Sequence, residues 1–172
     1  MRLFETIDYQ VIKKTGKIEI REYSGFNLAT TKTKMNKNLD NGFNKVFDYI
    51  SGNNESQEKI KMTVPVVSVM EDDYYTTSFV VPKKFNLSQI PVPKDSSVSI
   101  EKIDHQFMIC ITFSGRWDEG NFEKNNQELL DYVKDNNIVI TSKKHLLRYN
   151  PPFMPSFLRR NEICYVIQFK EA

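Results

Sequence analysis

Two amphipathic helical segments, each followed by strand-like segments, constrain the fold of this chain most strongly. Apolar residues recur at steps of three and four over residues 39–50 and again over 122–133, which predicts two helices with one apolar face each. The order strand, helix, strand, strand occurs within residues 9–82 and again within 97–170. We therefore predict an α+β fold in which two helices cover a mostly antiparallel sheet, with a weak internal duplication.

The predicted strands show the alternation of apolar and polar residues that half-buried strands require. They cover residues 18–33, 60–66, 76–81, 98–103, 107–113, 144–149 and 164–169. Gly52 and the pair Asn136-Asn137 mark the expected ends of the two helices. Residues 83–96 would join the two halves within a single domain over 1–172. A sheet curled in this way leaves a groove between the halves, which is a common place for ligands.

Composition and charge exclude several classes of protein. The 172 residues are 40% apolar and 27% charged, which is ordinary for one soluble domain. The formal net charge of +2 is too balanced to indicate a nucleic-acid partner. No apolar run approaches the roughly 18 residues of a membrane span, and the N-terminus carries charges where a signal peptide needs apolar residues. We expect a cytoplasmic protein in which Cys110 and Cys164 are reduced core residues.

Catalytic motifs are scarce in this sequence. It contains no G-x-S-x-G elbow, no H-E-x-x-H pair and no glycine-rich phosphate loop. His105 and His145 are the only histidines, and we expect each to be an ordinary exposed or structural histidine. Either one remains an alternative as the single axial ligand of an iron-containing cofactor. We therefore expect a protein that is not an enzyme and assign it no metal site.

The first helix carries a stripe that suits a flat apolar ligand. Leu39, Phe43 and Phe47 follow one another at one-turn intervals, and Lys34 and Lys37 lie just before the helix. An apolar stripe beside ammonium groups would suit a planar ligand with carboxylate arms. The alternative is that the stripe packs on the sheet, which is the usual role of an apolar helix face.

A proline-rich segment precedes the last strand. Residues 149–162 read YNPPFMPSFLRRNE, and the three prolines stiffen the backbone and prevent regular structure. Phe153 and Phe157 could rim a ligand groove, and Arg160 could clamp a carboxylate. The paired arginines could instead bridge internally to the nearby glutamate. A third possibility is that residues 151–158 form a contact surface for another protein.

Six short segments give the chain a resemblance to the SOUL haem-binding protein family. They are IEIREY at 18–23, DYISGNN at 48–54, KIKMTVPV at 59–66, FSG at 113–115, YNPPF at 149–153 and RRNE at 159–162. The segments follow the family's order, and the resemblance as a whole extends over about residues 9–169. KIKMTVPV and RRNE, at this separation, are the specific pair.

The resemblance implies both a fold and a function. The fold is a distorted antiparallel barrel-like sheet with two helices in a pseudo-twofold repeat, similar to the effector-binding domains of bacterial multidrug regulators. The function is non-catalytic, non-covalent binding of haem or another tetrapyrrole in a shallow groove beside the first helix, for buffering, transport or signalling. The resemblance places ligand contacts on Phe43 and Phe47, and places Asp40 where some members have a basic residue. A tetrapyrrole-modifying enzyme is the remaining alternative.

Overall fold

The computed structural model describes residues 3–35 and 41–170. Within these ranges the chain forms ten strands and two α-helices. In chain order they are β1 (Tyr9–Thr15), β2 (Ile18–Tyr23), β3 (Phe26–Lys34), α1 (Asn41–Ile50), β4 (Val66–Val69), β5 (Tyr74–Val80), β6 (Val98–Ile103), β7 (Gln106–Phe113), α2 (Glu119–Asp135), β8 (Val139–Ile140), β9 (His145–Arg148) and β10 (Asn161–Gln168). Neither described helix is long and apolar enough to cross a bilayer.

The chain divides into two compact units, and each unit contains one of the helices. The first unit holds the described residues of 1–7 and 25–104, and the second unit holds those of 8–24 and 105–172. This division differs from the two sequence halves. Every residue of β2 pairs with β7, so that β1 and β2 belong with the C-terminal strands although they come early in the chain.

The first unit is a four-stranded antiparallel sheet covered by α1. The strand order is β4, β5, β3, β6, and α1 packs on the central strands β3 and β5. Val46, Tyr49 and Ile50 form the buried face of the helix. They meet Ala29, Ile60, Val66, Phe79, Val81, Ile90 and Val98 in one apolar core.

Helix α1 comes close to the sheet at Gly42. A Cβ atom at this position would lie 2.6 Å from Oγ1 of Thr77 on β5 and 3.2 Å from Oγ1 of Thr33 on β3. No side chain larger than hydrogen fits there without displacing one of the threonines. Gly42 therefore fixes the distance between the helix and the sheet, and with it the position of the outer face of α1.

The second unit is a sheet in the order β1, β2, β7, β10, β9, with the short strand β8 also paired to β10. Helix α2 packs on β7 and β10 through Leu129 and Val133. The side chain of Asp118 caps this helix by accepting a hydrogen bond from the backbone N–H of Asn121 at 2.8 Å. The predicted end of α2 at Asn136 is confirmed, since Asn136 is the C-cap residue.

The α+β class and the two helices are confirmed, whereas two of the predicted strands are wrong in extent. The strand predicted over 60–66 contributes only Val66, because β4 begins immediately after Pro65, which has no N–H for a ladder hydrogen bond. The strand predicted over 18–33 is the two strands β2 and β3, which separate at Gly25 with a φ of 107°. Strand β1 has no counterpart in the prediction, because its mostly exposed side chains lack apolar alternation.

The expectation that the two cysteines are reduced is wrong. Cys110 on β7 and Cys164 on β10 are directly opposed in the antiparallel register and form a disulfide. Their Cα atoms are 4.2 Å apart, close to the spacing of a non-hydrogen-bonded antiparallel pair. A separation of 54 residues in the sequence does not reveal this register, which only the pairing of the two strands defines.

Candidate functional site

The outer face of α1 presents two stacked phenylalanine rings. Phe43 is partly buried and meets Phe79 edge-on, with ring centroids 5.1 Å apart and an interplanar angle of 61°. Phe47 is 45% exposed, and its ring lies 5.8 Å from that of Phe43 with an interplanar angle of 13°. Of the two alternatives for the stripe, packing on the sheet applies to Phe43, and a surface open to a ligand remains for Phe47. Phe43 belongs to the edge of the core, and Phe47 extends that apolar surface into solvent.

The remaining residues predicted near this helix are only partly described. Lys34 is exposed at the end of β3, and Met35 next to it is also exposed, with its backbone N–H bonded to the carbonyl of Asp73 at 2.8 Å. Lys37, Leu39 and Asp40 lie outside the described residues. In the described part of the chain, the site predicted beside α1 therefore comprises the partly buried ring of Phe43, the half-exposed ring of Phe47 and the Lys34 ammonium group on the strand that precedes the helix.

The second unit contains a buried carboxylate with five hydrogen bonds. Arg21 donates to both oxygens of Glu162, at 2.9 Å from Nη1 to Oε1 and by a shorter bond from Nη2 to Oε2. Tyr149 donates its hydroxyl to Oε1 at 2.7 Å, and Thr112 donates its hydroxyl to Oε2 at 2.8 Å. Arg160 adds a fifth bond from Nη2 to Oε2 at 3.1 Å. The donors come from β2, β7 and the segment between β9 and β10, and Glu162 itself lies on β10, so the cluster ties the strands of this unit together.

The electrostatics of this cluster favour fixed protonation states. Burial by itself would raise the pKa of Glu162, but the hydrogen bonds and charges of Arg21 and Arg160 lower it to about 2. Burial raises the pKa of Tyr23 to about 12, and burial together with the Glu162 carboxylate raises the pKa of Tyr149. At neutral pH the carboxylate stays ionised and both phenols stay neutral. The cluster is therefore an internal ion-pair network and is not suited to proton transfer.

The two arginines of the RRNE segment both make contacts within the second unit. Arg160 donates to the hydroxyl of Tyr9 at 3.1 Å and stacks 4.1 Å above the ring of Tyr149. Arg159 donates to the carbonyls of Met154 at 2.9 Å and of Pro152 at 2.7 Å. Of the roles left open for these arginines, the internal bridge to Glu162 is the one present for Arg160.

Two small cavities border this network. One, of about 220 Å³, is lined by Tyr9, Lys14, Gly16, Lys17, Glu19, Arg21, Thr112 and Arg160. The other, of about 250 Å³, is lined by Asp8, Tyr9, Gln10, Glu22 and Ser24. Both are smaller than the roughly 300–1,000 Å³ pockets that enclose drug-sized ligands. Neither cavity is large enough to enclose a macrocycle.

Phe153 and Phe157 lie on the proline-rich loop of the second unit and point into solvent. Phe153 is 86% exposed and Phe157 is 74% exposed, and Leu158 is also exposed. The backbone N–H of Gly115 donates to the carbonyl of Ser156 at 2.9 Å, which fastens the loop to the end of β7. The loop is therefore held in place although its largest side chains are mostly exposed to solvent.

Both histidines have partners within the second unit. His105 Nε2 lies 2.7 Å from Oε1 of Glu22, and its ring meets Phe107 edge-on at 5.1 Å. His145 Nδ1 lies 2.9 Å from the carbonyl of Lys143, and burial lowers the pKa of His145. Among residues 3–35 and 41–170, no group of three or more histidine, cysteine, aspartate or glutamate side chains could hold a metal ion.

The sequence pattern of β2 predicts the wrong environment for Arg21, a residue of the buried network. In the alternation of β2, Glu19 and Arg21 take the polar positions that alternate with Ile18 and Ile20, which would put Arg21 in solvent. It is 1% exposed instead, because Glu162 and the rings of Tyr9 and Tyr23 cover it. The sequence held one signal for this pair. The segment IEIREY contains Arg21 and the segment RRNE contains Glu162, and these two residues of opposite charge lie 141 positions apart.

The chain belongs to the SOUL heme-binding protein family, whose model matches residues 4–166. Among curated relatives, human "Heme-binding protein 2" is 28% identical over 170 residues, which cover 91% of this chain and 80% of that protein. Pig "Heme-binding protein 1" is 27% identical over an alignment of length 176. The alignment covers 94% of this chain and 92% of that protein.

A solved structure agrees with the fold. The C-terminal domain of EcmrR superimposes with a TM-score of 0.68, covering 93% of this chain and 98% of that domain. Its sequence is 11% identical, so this likeness shows the fold and nothing further. The expected α+β architecture, similar to known domains despite low sequence identity, is thereby confirmed.

Proposed function

We propose that this chain binds haem or a closely related tetrapyrrole non-covalently on the outer face of α1, and that it does not transform the ligand. Membership of the SOUL heme-binding protein family and the two relatives named as heme-binding proteins support the ligand class. The observation that carries the location is the Phe43–Phe47 stack, in which a half-exposed ring is supported from below by a second ring.

The stack has the properties that a flat apolar ligand requires. The ring of Phe43 is anchored on Phe79, so Phe47 rests on a surface that is part of the core. Aromatic rings in offset contact contribute about 0.5–1.5 kcal/mol beyond their buried area. Lys34 supplies an exposed ammonium group at the end of β3 that could meet a propionate. Binding on a surface is also consistent with two cavities that are too small to enclose a macrocycle.

The iron is not required for this mode of binding. The two histidines of the sequence both lie in the second unit and contact Glu22 and the Lys143 carbonyl, and α1 contains none. We propose that the macrocycle face, and not an axial histidine, provides the affinity. Metal-free protoporphyrin should then bind about as tightly as haemin. A haemin affinity more than about tenfold higher, corresponding to about 1.4 kcal/mol, would show that an iron ligand contributes.

The proposal is tested by titrating the purified protein with haemin. Saturable growth of a Soret band and quenching of Trp117, the only tryptophan, should occur at micromolar haemin. Phe47→Asp places a carboxylate on the exposed ring position and should weaken binding by about tenfold or more, because apolar contact is lost and a like charge meets the propionates.

A matched control separates the site from a general surface effect. Leu87→Asp makes the same apolar-to-acidic change at an exposed position of the first unit outside α1. It should leave haemin affinity unchanged. Equal affinities for wild type and Phe47→Asp would remove α1 as the site. Unchanged iron and porphyrin spectra after prolonged incubation are expected for a carrier, and conversion of the bound haem would show an enzyme.

A further inference from the structure

We propose that the apolar loop, defined here as residues 151–158, is a contact site for anionic lipid surfaces. Phe153 and Phe157 extend from this loop almost wholly into water, and Leu158 does so to a lesser degree. Exposed apolar side chains grouped in this way commonly mark an interaction site with a protein or a membrane. The proposal is independent of haem binding, since it concerns other residues and needs no bound ligand.

The loop holds its phenylalanines outward by a rigid construction. Pro151, Pro152 and Pro155 restrict the backbone. Arg159 donates to the carbonyls of Met154 and Pro152, and its guanidinium lies 4.4 Å from the ring centroid of Trp117. A braced loop cannot fold its apolar side chains back onto the protein. The exposure of the rings is thus imposed by the local structure.

The backbone of the loop presents fewer unpaired N–H groups than its length suggests. Over residues 151–159, three residues are prolines without an N–H group. Three of the remaining six N–H groups, those of Met154, Leu158 and Arg159, donate to carbonyls within the loop. Paired backbone groups lower the cost of entering an apolar medium. They also leave fewer groups for hydrogen bonds to a protein partner, which is one reason to favour lipid.

The charge around the loop points to an acidic surface. The cations beside the loop are Arg148, Arg159 and Arg160, of which Arg160 shares the buried carboxylate of Glu162 with Arg21. Arg116, next to the glycine that fastens the loop, is exposed as well. The nearest acids along β7 and α2 are Asp118, whose carboxylate caps the helix, and Glu119. Each cation close to an anionic leaflet strengthens the attraction to it.

An apolar tip beside cations is the arrangement that interfacial membrane proteins use. Binding strength in such cases follows the buried apolar area and the attraction to anionic lipid. Arginine and lysine side chains can keep their charged ends at the headgroups while their stems lie on apolar surface. Phe153, Phe157 and Leu158 would enter the boundary between headgroups and acyl chains, with Arg159 and Arg160 at the headgroup level.

The test is vesicle co-sedimentation of the purified protein without added haem. Vesicles of phosphatidylcholine with about 30 mol% phosphatidylserine should retain the protein, and pure phosphatidylcholine vesicles should retain much less. Raising NaCl to about 0.5 M should weaken binding, because salt screens the cations. The double variant Phe153→Ser/Phe157→Ser should lower the partition coefficient by about tenfold or more.

A control and a second readout keep the result specific. The double variant Leu87→Ser/Val92→Ser removes two exposed apolar side chains from the first unit and should leave partitioning unchanged. Brominated lipids should quench Trp117, which lies beside Arg159 at the base of the loop. Both double variants change exposed residues and should retain the wild-type thermal midpoint.

Several results would overturn the proposal. The first is a failure of the wild type to bind the anionic vesicles, and the second is equal loss of binding in the two double variants. A third is binding to vesicles without quenching of Trp117, which would place the contact elsewhere. The last is a wild-type dimer that Phe153→Ser/Phe157→Ser converts to monomer while vesicles bind neither form. That result would assign the apolar loop to a protein contact.

Discussion

Replacing Glu162 by glutamine tests whether the buried network stabilises the second unit. The carboxylate accepts five hydrogen bonds, two of them from Arg21 and one each from Arg160, Tyr149 and Thr112. Glutamine has the same shape but is neutral, and its NH₂ group turns one acceptor into a donor. At least two of the five donors then lose their partner, and the buried guanidinium of Arg21 loses its counter-charge.

The expected cost is about 3–5 kcal/mol, the range found when one partner of a buried ion pair is removed. For a chain of this size, each kcal/mol lowers the thermal midpoint by about 2–4 °C, so the midpoint should fall by about 6–20 °C. Urea unfolding at neutral pH measures the same loss directly. Glu128→Gln is the matched control, since Glu128 forms an exposed pair with Lys17 and should contribute about 0–1 kcal/mol.

Acid unfolding provides an independent estimate of the same interaction. The folded pKa of Glu162 is about 2, below the ordinary value of 4.5, so its contribution is present above pH 4.5 and is lost as the pH falls towards 2. Wild type should lose this stability between about pH 5 and pH 2, and Glu162→Gln should not. Equal neutral-pH stability of the two proteins, with parallel acid profiles, would refute the reasoning.

Further predictions concern the packing of α1 and the Glu162 network. Gly42→Ala should destabilise the protein by about 1–3 kcal/mol in urea unfolding, because its Cβ would meet Thr77 Oγ1 at 2.6 Å. Gly120→Ala, at the second position of α2 where a Cβ has space, should be neutral or slightly stabilising, and similar values for both variants would contradict the packing at Gly42. Tyr149→Phe should cost about 1.5–3 kcal/mol through the lost hydrogen bond to Glu162, and wild-type stability of this variant would show that the bond contributes nothing.

The helices could be predicted from the sequence because their information is local. Apolar residues with a period of 3.6 mark α1 and α2 in the sequence. The pair Asn136-Asn137 marks the end of α2, where Asn136 is the C-cap residue. The strands were less predictable where their apolar residues do not alternate. Strand β1 has six exposed residues in seven and only its hydrogen bonds to β2 define it. Pro65 lies within an apolar alternation, yet the residues before it form no strand.

The candidate site was predictable in part. The one-turn spacing of Phe43 and Phe47 follows from the sequence, but periodicity cannot show which ring faces the core. The edge-on contact with Phe79, a residue 36 positions after Phe43, decides that question. The internal bridge of Arg160 to Glu162 was among the alternatives that the sequence left open, but the part played by Arg21 escaped prediction for a related reason. Arg21 is covered by Glu162 of β10 and by the rings of Tyr9 and Tyr23, and its pairing with a carboxylate 141 positions later cannot be derived from the alternation of β2.

The division of the chain into two units has a consequence for the order in which the protein can fold during synthesis. Apart from residues 1–7, the first unit is the continuous stretch 25–104, so its strands can pair before the rest of the chain is made. Strands β1 and β2 are synthesised earlier. However, β7, the partner of β2, ends at Phe113, and the buried network is complete only once Glu162 has been added. We expect β1 and β2 to lack the pairing with β7 until residues 106–113 have emerged, so truncated nascent chains should protect residues 25–104 from protease before residues 8–24.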